Sequence, residues 1–363
     1  MERAVKLGTL ITPAKTVRCG DGNYPVLSMT MHNGLVFQDE KFKKVIASKD
    51  TSEYKVVFRN QLVISFPIDE GVLAAQRITD AGIVSPAYGI WDIDKSLVLP
   101  EFLEYALRCN RAIQYYKAKL RGSTARRRSL PTPTLLAFMI PLPSIEEQEA
   151  ILEKIHIVRA VIEKRETQIR KLDELIKARF VEMFGDEKNL MTMSEVCSII
   201  TDGTHQPPKF TDTGIPFIFV SNITSDKVTY DAEKFIDQDT YDELIKRTPI
   251  EVGDVLLSTV GSYGHPAVVR SDKKFLFQRH IAYLKPRREI INSDYLHGAI
   301  LSPDAQRQIE KGVKGIAQKT LNLSEIKKMK IPVPVMNRQK EFADFVTQVD
   351  KSKVAVQNVL DEA

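Results

Sequence analysis

Apolar residues recur at Ile151, Ile155, Val158, Ile162, Ile169, Leu172 and Ile176 in alternating steps of four and three. That spacing lines one face of an α-helix, and only Arg165 interrupts it. Ser144 with Glu147 three residues later forms the sequence of a capping box, which starts the helix. Upstream, Pro141 and Pro143 hold the backbone extended, and Gly185 supplies a stop. Such a rod is roughly 60 Å long at 1.5 Å per residue, far beyond an average globular helix. A seam this narrow on a helix this long calls for a partner helix. Before it, short alternating stretches at Val26–Met29, Val56–Phe58 and Leu62–Phe66 read as strands, with Gly20, Gly22, Asn33 and Gly34 as turn signals. Pro100 opens an amphipathic stretch, Glu101–Leu107, predicted to continue as helix towards Leu120. The first domain is therefore expected to be mixed α+β.

After Gly185 the pattern begins again. Tyr24-Pro25-Val26-Leu27 matches Ile215-Pro216-Phe217-Ile218, and Leu62-Val63-Ile64-Ser65 matches Val255-Leu256-Leu257-Ser258. Arg77 matches Arg270, Glu101-Phe102-Leu103 matches Asp294-Tyr295-Leu296, and Ile140-Pro141-Leu142-Pro143 matches Ile331-Pro332-Val333-Pro334. Gln148 matches Gln339. The offset stays between 191 and 193 residues, so the chain is an internal duplication. The second elbow launches its own ladder, Phe342, Val346, Val349, Val356 and Leu360, with Lys353 as the one polar interruption. Two domains each followed by a seamed helix are most economically assembled by pairing the helices with each other. The pairing is antiparallel if a pseudo-two-fold relates the halves.

Composition leaves this picture standing. A chain of 363 residues, 43% apolar and 27% charged, is an ordinary folded protein of two or three domains. No run of eighteen apolar residues and no apolar N-terminal core occurs, which predicts a soluble, unexported protein without a membrane partner. Cys19, Cys109 and Cys197 form no CxxC pair and are expected to be reduced, mostly buried thiols. The net charge of +5 permits an anionic partner without requiring one.

The arrangement resembles the specificity subunit of Type I restriction–modification systems along the whole chain. The resemblance is carried most specifically by Pro141-x-Pro143-x-x-x-x-Gln148 and Pro332-x-Pro334-x-x-x-x-Gln339. Thr201-Asp202-Gly203-Thr204-His205-Gln206-Pro207-Pro208 and Gly253-Asp254-Val255-Leu256-Leu257-Ser258 also look like family segments. The first domain lacks the Asp-Gly-Thr-His loop and has Asn60-Gln61 in place of Gly253-Asp254. The resemblance implies an α+β fold class, with two repeated target recognition domains separated by two long helices that pair as an antiparallel coiled coil. The domains would span residues 1–143 and 186–334 and the helices 144–185 and 335–363. The first helix runs to Phe184, whose counterpart would fall near 375, so the second is about twelve residues shorter. That difference predicts exposed apolar seam, or a partner subunit, beside Phe184.

No catalytic motif is legible. There is no GxxxxGK[ST] or GxGxxG turn, no Asn-Pro-Pro-aromatic motif, and no metal-ligand spacing. His32, His156, His205, His265, His280 and His297 are scattered, and Asp186-Glu187-Lys188 is an isolated triplet. DNA recognition needs cations for phosphate and planar amide or guanidinium groups for base edges. The candidates in the first domain are Arg121, Ser123, Thr124, Arg126, Arg127 and Arg128, with Lys314, Gln318 and Lys319 in the counterpart segment of the second. Thr204, His205, Gln206 and Lys209 form a proline-stiffened loop that offers donors. Tyr263 and Arg279 are further candidates.

By the resemblance, the chain is a non-catalytic DNA-specificity subunit without a cofactor. Its implied partners are double-stranded DNA, two modification (methyltransferase) subunits and restriction/translocase subunits, in the cytoplasm. Methylation from S-adenosylmethionine and ATP-driven cleavage would belong to those partners. Two alternatives stay open: a duplicated coiled-coil scaffold without DNA specificity, and a stand-alone nuclease or methyltransferase with an unrecognised site.

Overall fold

A computed structural model describes residues 4–31, 33–41, 50–66, 68–120, 130–315 and 318–361. The chain divides into two units, Met1–Ala160 and Val161–Ala363, the boundary falling inside one continuous helix, Ile145–Phe184. Both units are α+β.

The duplication is visible in the sheets. The first unit holds a four-stranded antiparallel sheet in the order Ile11–Pro13, Gly89–Ile93, Leu62–Ile64, Leu73–Ala75. The second repeats it as Cys197–Asp202, Ile281–Pro286, Val255–Ser258, Pro266–Val268. Each proline elbow is itself a short strand: Met139–Pro141 pairs with Ala4–Lys6, and Lys330–Pro332 pairs with Leu190–Thr192. Proline is tolerated there because each sheet has only two strands, so one side of the elbow needs no ladder bond. The matched charges also meet, Arg77 with Glu101 at 2.9 Å and Arg270 with Asp294 at 2.5 Å. The second unit adds a three-stranded sheet around Ile215–Ile218.

The strands begin and end slightly off their predicted bounds, at Leu27–Thr30, Lys55–Phe58 and Leu62–Ile64. The helix expected to run from Glu101 to Leu120 is two helices, Pro100–Arg108 and Asn110–Lys119, because Cys109 turns to extended backbone with ψ 157°. Ser302 breaks the equivalent pair with ψ 151°, and there Pro303 makes the break readable. Cys109 is also exposed, whereas Cys19 and Cys197 are buried, and burial pushes the Cys197 thiol up to about 12.

The motif glutamines explain the elbows. Gln148 is buried; its Nε2 donates to Leu97 O and Pro143 O at 3.1 and 3.0 Å, and its Oε1 accepts from Leu99 N at 2.9 Å. Gln339 repeats the clamp, donating to Ile290 O and Pro334 O and accepting from Asn292 N. One side chain therefore satisfies three backbone groups and ties the first turn of each long helix to the loop entering the domain's helix pair. Ser144 and Glu147 form the reciprocal cap at 3.2 and 2.8 Å.

In the second unit, the end of Ile145–Phe184 lies antiparallel to Met336–Asp361. Arg338 donates to Met183 O, Arg179 lies 3.8 Å from Glu341, and Lys353 lies 2.6 Å from Asp173, so one numbering falls as the other rises. Phe342, Val346, Val349 and Val356 are buried along this seam. The expectation of exposed seam beside Phe184 is overturned. Phe184 is 3% exposed, stacked edge-on against Tyr295 and Phe342 beside Phe180. Antiparallel pairing puts the beginning of the second helix beside the end of the first, so the full set of aromatics closes there. The exposed apolar side chains of the first helix are instead Ile151, Ile157, Val158 and Val161 in its first half, together with Leu175 and Val181 further along.

Candidate nucleic-acid interface

The matched pair Gly253-Asp254 and Asn60-Gln61 proves structural. Gly253 has φ 92° and Asn60 has φ 71°, so both halves need the left-handed region, which asparagine tolerates better than most residues. Asp254 is fully buried; its Oδ2 accepts from Tyr283 Oη at 2.7 Å and from Glu251 N at 2.8 Å, which pins the turn to the central strand. Burial, then the Asp254 carboxylate, push the Tyr283 phenol far above its ordinary pKa.

The loop Thr201–His205 is likewise built by close approach. A Cβ on Gly203 would stand 2.3 Å from Phe277 O, so only glycine lets this loop lie against Leu276–Phe277. Thr204 N donates to Phe277 O, and Arg279 N donates to Thr204 O. From there a run of backbone hydrogen bonds crosses the face. Thr259 N donates to His280 O, Leu321 N donates to Thr259 O, and Gly261 N donates to Lys319 O. The segment after helix Pro303–Gly312 folds as a small hairpin, Val313–Lys314 with Thr320–Leu321. Four loops distant in sequence thus share one framework.

These loops enclose a cavity of about 260 Å³ lined by Asp202, Thr259, Arg279, His280, Gln318 and Asn322, among others. Asp202 is paired with His205 Nε2 at 2.8 Å and with Arg247. The side chains of Arg279, Gln318, His280 and Asn322 make no hydrogen bond or ion pair among the described residues. Burial, and then Arg279, hold the His280 pKa below its ordinary value, which favours the uncharged ring.

The structure brings Thr204, His205, Arg279, Lys314, Gln318 and Lys319 together on this framework, with Tyr263 at its edge. Tyr263 Oη donates to Glu310 at 3.0 Å, and Lys319 sits 3.3 Å from that oxygen and 5.7 Å over the ring, which raises the Lys319 pKa. Those two side chains are engaged with each other. Gln206 and Lys209 do not line the cavity; Lys209 instead lies near Asp237, the cap of helix Gln238–Leu244. His280 and Asn322 were not among the sequence candidates. Nothing in a lone histidine or asparagine signals them before the loops converge.

In the first unit, Arg121, Ser123, Thr124, Arg126, Arg127 and Arg128 lie outside the described residues, as does His32. Phe66, at the position matching Thr259, is 61% exposed. No group of His, Cys, Asp or Glu among the described residues has a metal-holding arrangement, and no helix there is long and apolar enough to cross a membrane.

Residues 186–362 match the family described as Type I restriction modification DNA specificity domain. The Type I restriction enzyme EcoBI specificity subunit of Escherichia coli is 26% identical over 253 residues, which is 61% of this chain and 53% of the relative. A putative type I restriction enzyme MjaX specificity subunit of Methanocaldococcus jannaschii is 22% identical over 184 residues, 49% of this chain and 43% of the relative. The chain thus matches about half the length of these curated relatives. Among solved structures, a chain described under complex assembly and conformational transition of the type I R-M system superposes with a TM-score of 0.55. It is 18% identical, over 99% of this chain and 93% of that one. The Type-I restriction-modification S subunit from M. genitalium gives 0.50, at 14% identity over 99% and 92%. The second half of the chain thus carries a Type I restriction modification DNA specificity domain, and the first half repeats its four-stranded sheet and its proline elbow.

Proposed function

We propose that this chain recognises a two-part sequence in double-stranded DNA, one half-site for each repeated domain, without catalysing a reaction itself. The observation that carries the reading is the convergence of four loops into one framework in the second unit. Arg279, Lys314, Gln318 and Asn322 on it have no side-chain hydrogen bond or ion pair among the described residues. Such groups are what phosphate positioning and base reading require. The domains would be residues 1–143 and 186–334, and the helices 144–185 and 335–363 would set the distance between half-sites. In the first domain, Arg121, Arg126, Arg127 and Arg128 would hold phosphate. Ser123 and Thr124 lie in the same segment.

Two methyltransferase subunits and restriction/translocase subunits would supply methylation and ATP-dependent cleavage, in the cytoplasm. The test is selection from a randomised duplex library by the full chain, alone and with a Type I modification subunit. Enrichment of two short elements at a fixed separation is expected. Retention of DNA without sequence preference would remove the specificity role.

A further inference from the structure

The framework of the second unit presents two chemically distinct sets of side chains without partners among the described residues. One set lines the cavity and is planar: the Arg279 guanidinium and the Gln318 and Asn322 amides. The other, Lys311 and Lys314, is exposed at the helix end and hairpin beside it, with no ion pair among the described residues.

We propose that Arg279, Gln318 and Asn322 read purine edges in the half-site of the second domain, while Lys311 and Lys314 hold its phosphates. This division rests on the DNA-recognition reading above.

Three features separate the roles. A guanidinium presents a fixed fork to guanine O6 and N7, and a carboxamide presents a donor and an acceptor to adenine N6 and N7. An ammonium on a flexible stem serves phosphate as a point charge. Two of the three sit on bonded backbone: Arg279 N is bonded to Thr204 O, and the strand before Asn322 is bonded through Leu321 N to Thr259 O. Base discrimination needs such fixed geometry, whereas phosphate attraction does not. Finally, the one carboxylate in the wall, Asp202, is already paired with His205 and Arg247, so it does not seize Arg279. Tyr263 and Lys319, bonded together beside Glu310, belong to neither set and buttress the rim.

The experiment is the same library selection by the full chain, followed by affinity measurements across salt. The variants are Arg279→Lys, Gln318→Ala, Asn322→Ala and the double variant Lys311→Ala/Lys314→Ala. All the altered side chains are at the surface, and thermal melting checks that each variant folds. Each single variant is expected to lose about ten- to a hundredfold discrimination at one or two adjacent positions of one half-site. The double variant is expected to weaken binding to every sequence alike and to flatten the log–log salt slope by close to two units. Arg279→Lys keeps the charge, so unchanged preference in that variant would reduce Arg279 to a phosphate contact. Unchanged preference in all three, or altered preference in the lysine variant, overturns the division. If the parent chain itself selects no sequence, the recognition reading fails first.

Discussion

Lys353 Nζ lies 2.6 Å from Asp173 Oδ1 and 3.0 Å from Asp350, joining the two long helices at the one polar position of the second seam. Burial works against the ammonium, but hydrogen bonds to Asp173 and Asp350 outweigh it and raise its pKa. A raised lysine pKa means that the contribution is complete below the ordinary value of 10.5 and is lost only as pH rises through the folded value. The contact is therefore fully expressed at neutral pH, where it aligns the antiparallel register.

Reversing that charge tests the alignment. Lys353→Asp gathers three carboxylates and should cost about 1–2 kcal/mol, between an exposed pair and a buried one. Adding Asp173→Lys should recover more than half of the loss in urea unfolding. No recovery in the double variant would mean that the contact does not set the register.

The glutamine clamps predict a larger loss. Gln339→Leu leaves Asn292 N, Ile290 O and Pro334 O without their side-chain partner in a buried site. At about 1–3 kcal/mol for each buried group left unsatisfied, the second unit should lose roughly 3 kcal/mol or more. Gln148→Leu should act the same way in the first unit. A change below about 1 kcal/mol in either variant would show that water replaces the clamp.

Acid should loosen the second unit through His297. Its Nε2 is buried without a hydrogen bond among the described residues, on a cavity shared with Asp226, whose Oδ1 lies 3.4 Å from His265 Nδ1. Burial lowers its pKa below 6.5 against the opposing charges of Asp226, Asp294 and Asp350, with Arg270 adding to the lowering. Between the folded value and 6.5 the unfolded chain binds a proton that the native state does not. Stability therefore falls as pH drops from about 6.5 through the folded value, then levels. Melting curves from pH 8 to pH 5 should show this slope, and His297→Leu should flatten it. Equal slopes in both proteins would assign the acid sensitivity elsewhere.

Removing seven residues, Ile155–Val161, from the first long helix should shorten it by about 10 Å, or roughly three base pairs of rise. A seven-residue step nearly preserves the helix face. The separation between the two selected DNA elements should contract accordingly; an unchanged separation would end the role of the helices as spacers.

Much of this molecule is legible along the chain because its determinants are local or repeat. The ladder ending at Ile176, the cap of Ser144 and Glu147, and the Pro-x-Pro elbows each act within a turn or two. The nearly constant offset exposed the duplication, and matched residues such as Arg77 and Glu101 do meet. The split at Cys109 was hidden because no proline marks it, unlike Ser302-Pro303. The candidate site was only half legible. Lys314 and Lys319 look alike in a basic segment, yet among the described residues Lys314 has no side-chain partner, whereas Lys319 is bonded to Tyr263.

The sequence by itself determined the repeated α+β domains and the long seamed helices, since periodicity, capping and turn chemistry are written in neighbouring residues. Tertiary structure alone decided where the helix aromatics are buried and which cations, among the described residues, are left without partners. Antiparallel pairing carries Phe342 to Phe180 and Phe184, and sheet topology carries Asp202, Arg279, Gln318 and Asn322 to one cavity. Those contacts join residues far apart in the chain, so their partners emerge only when the loops and helices close on one another.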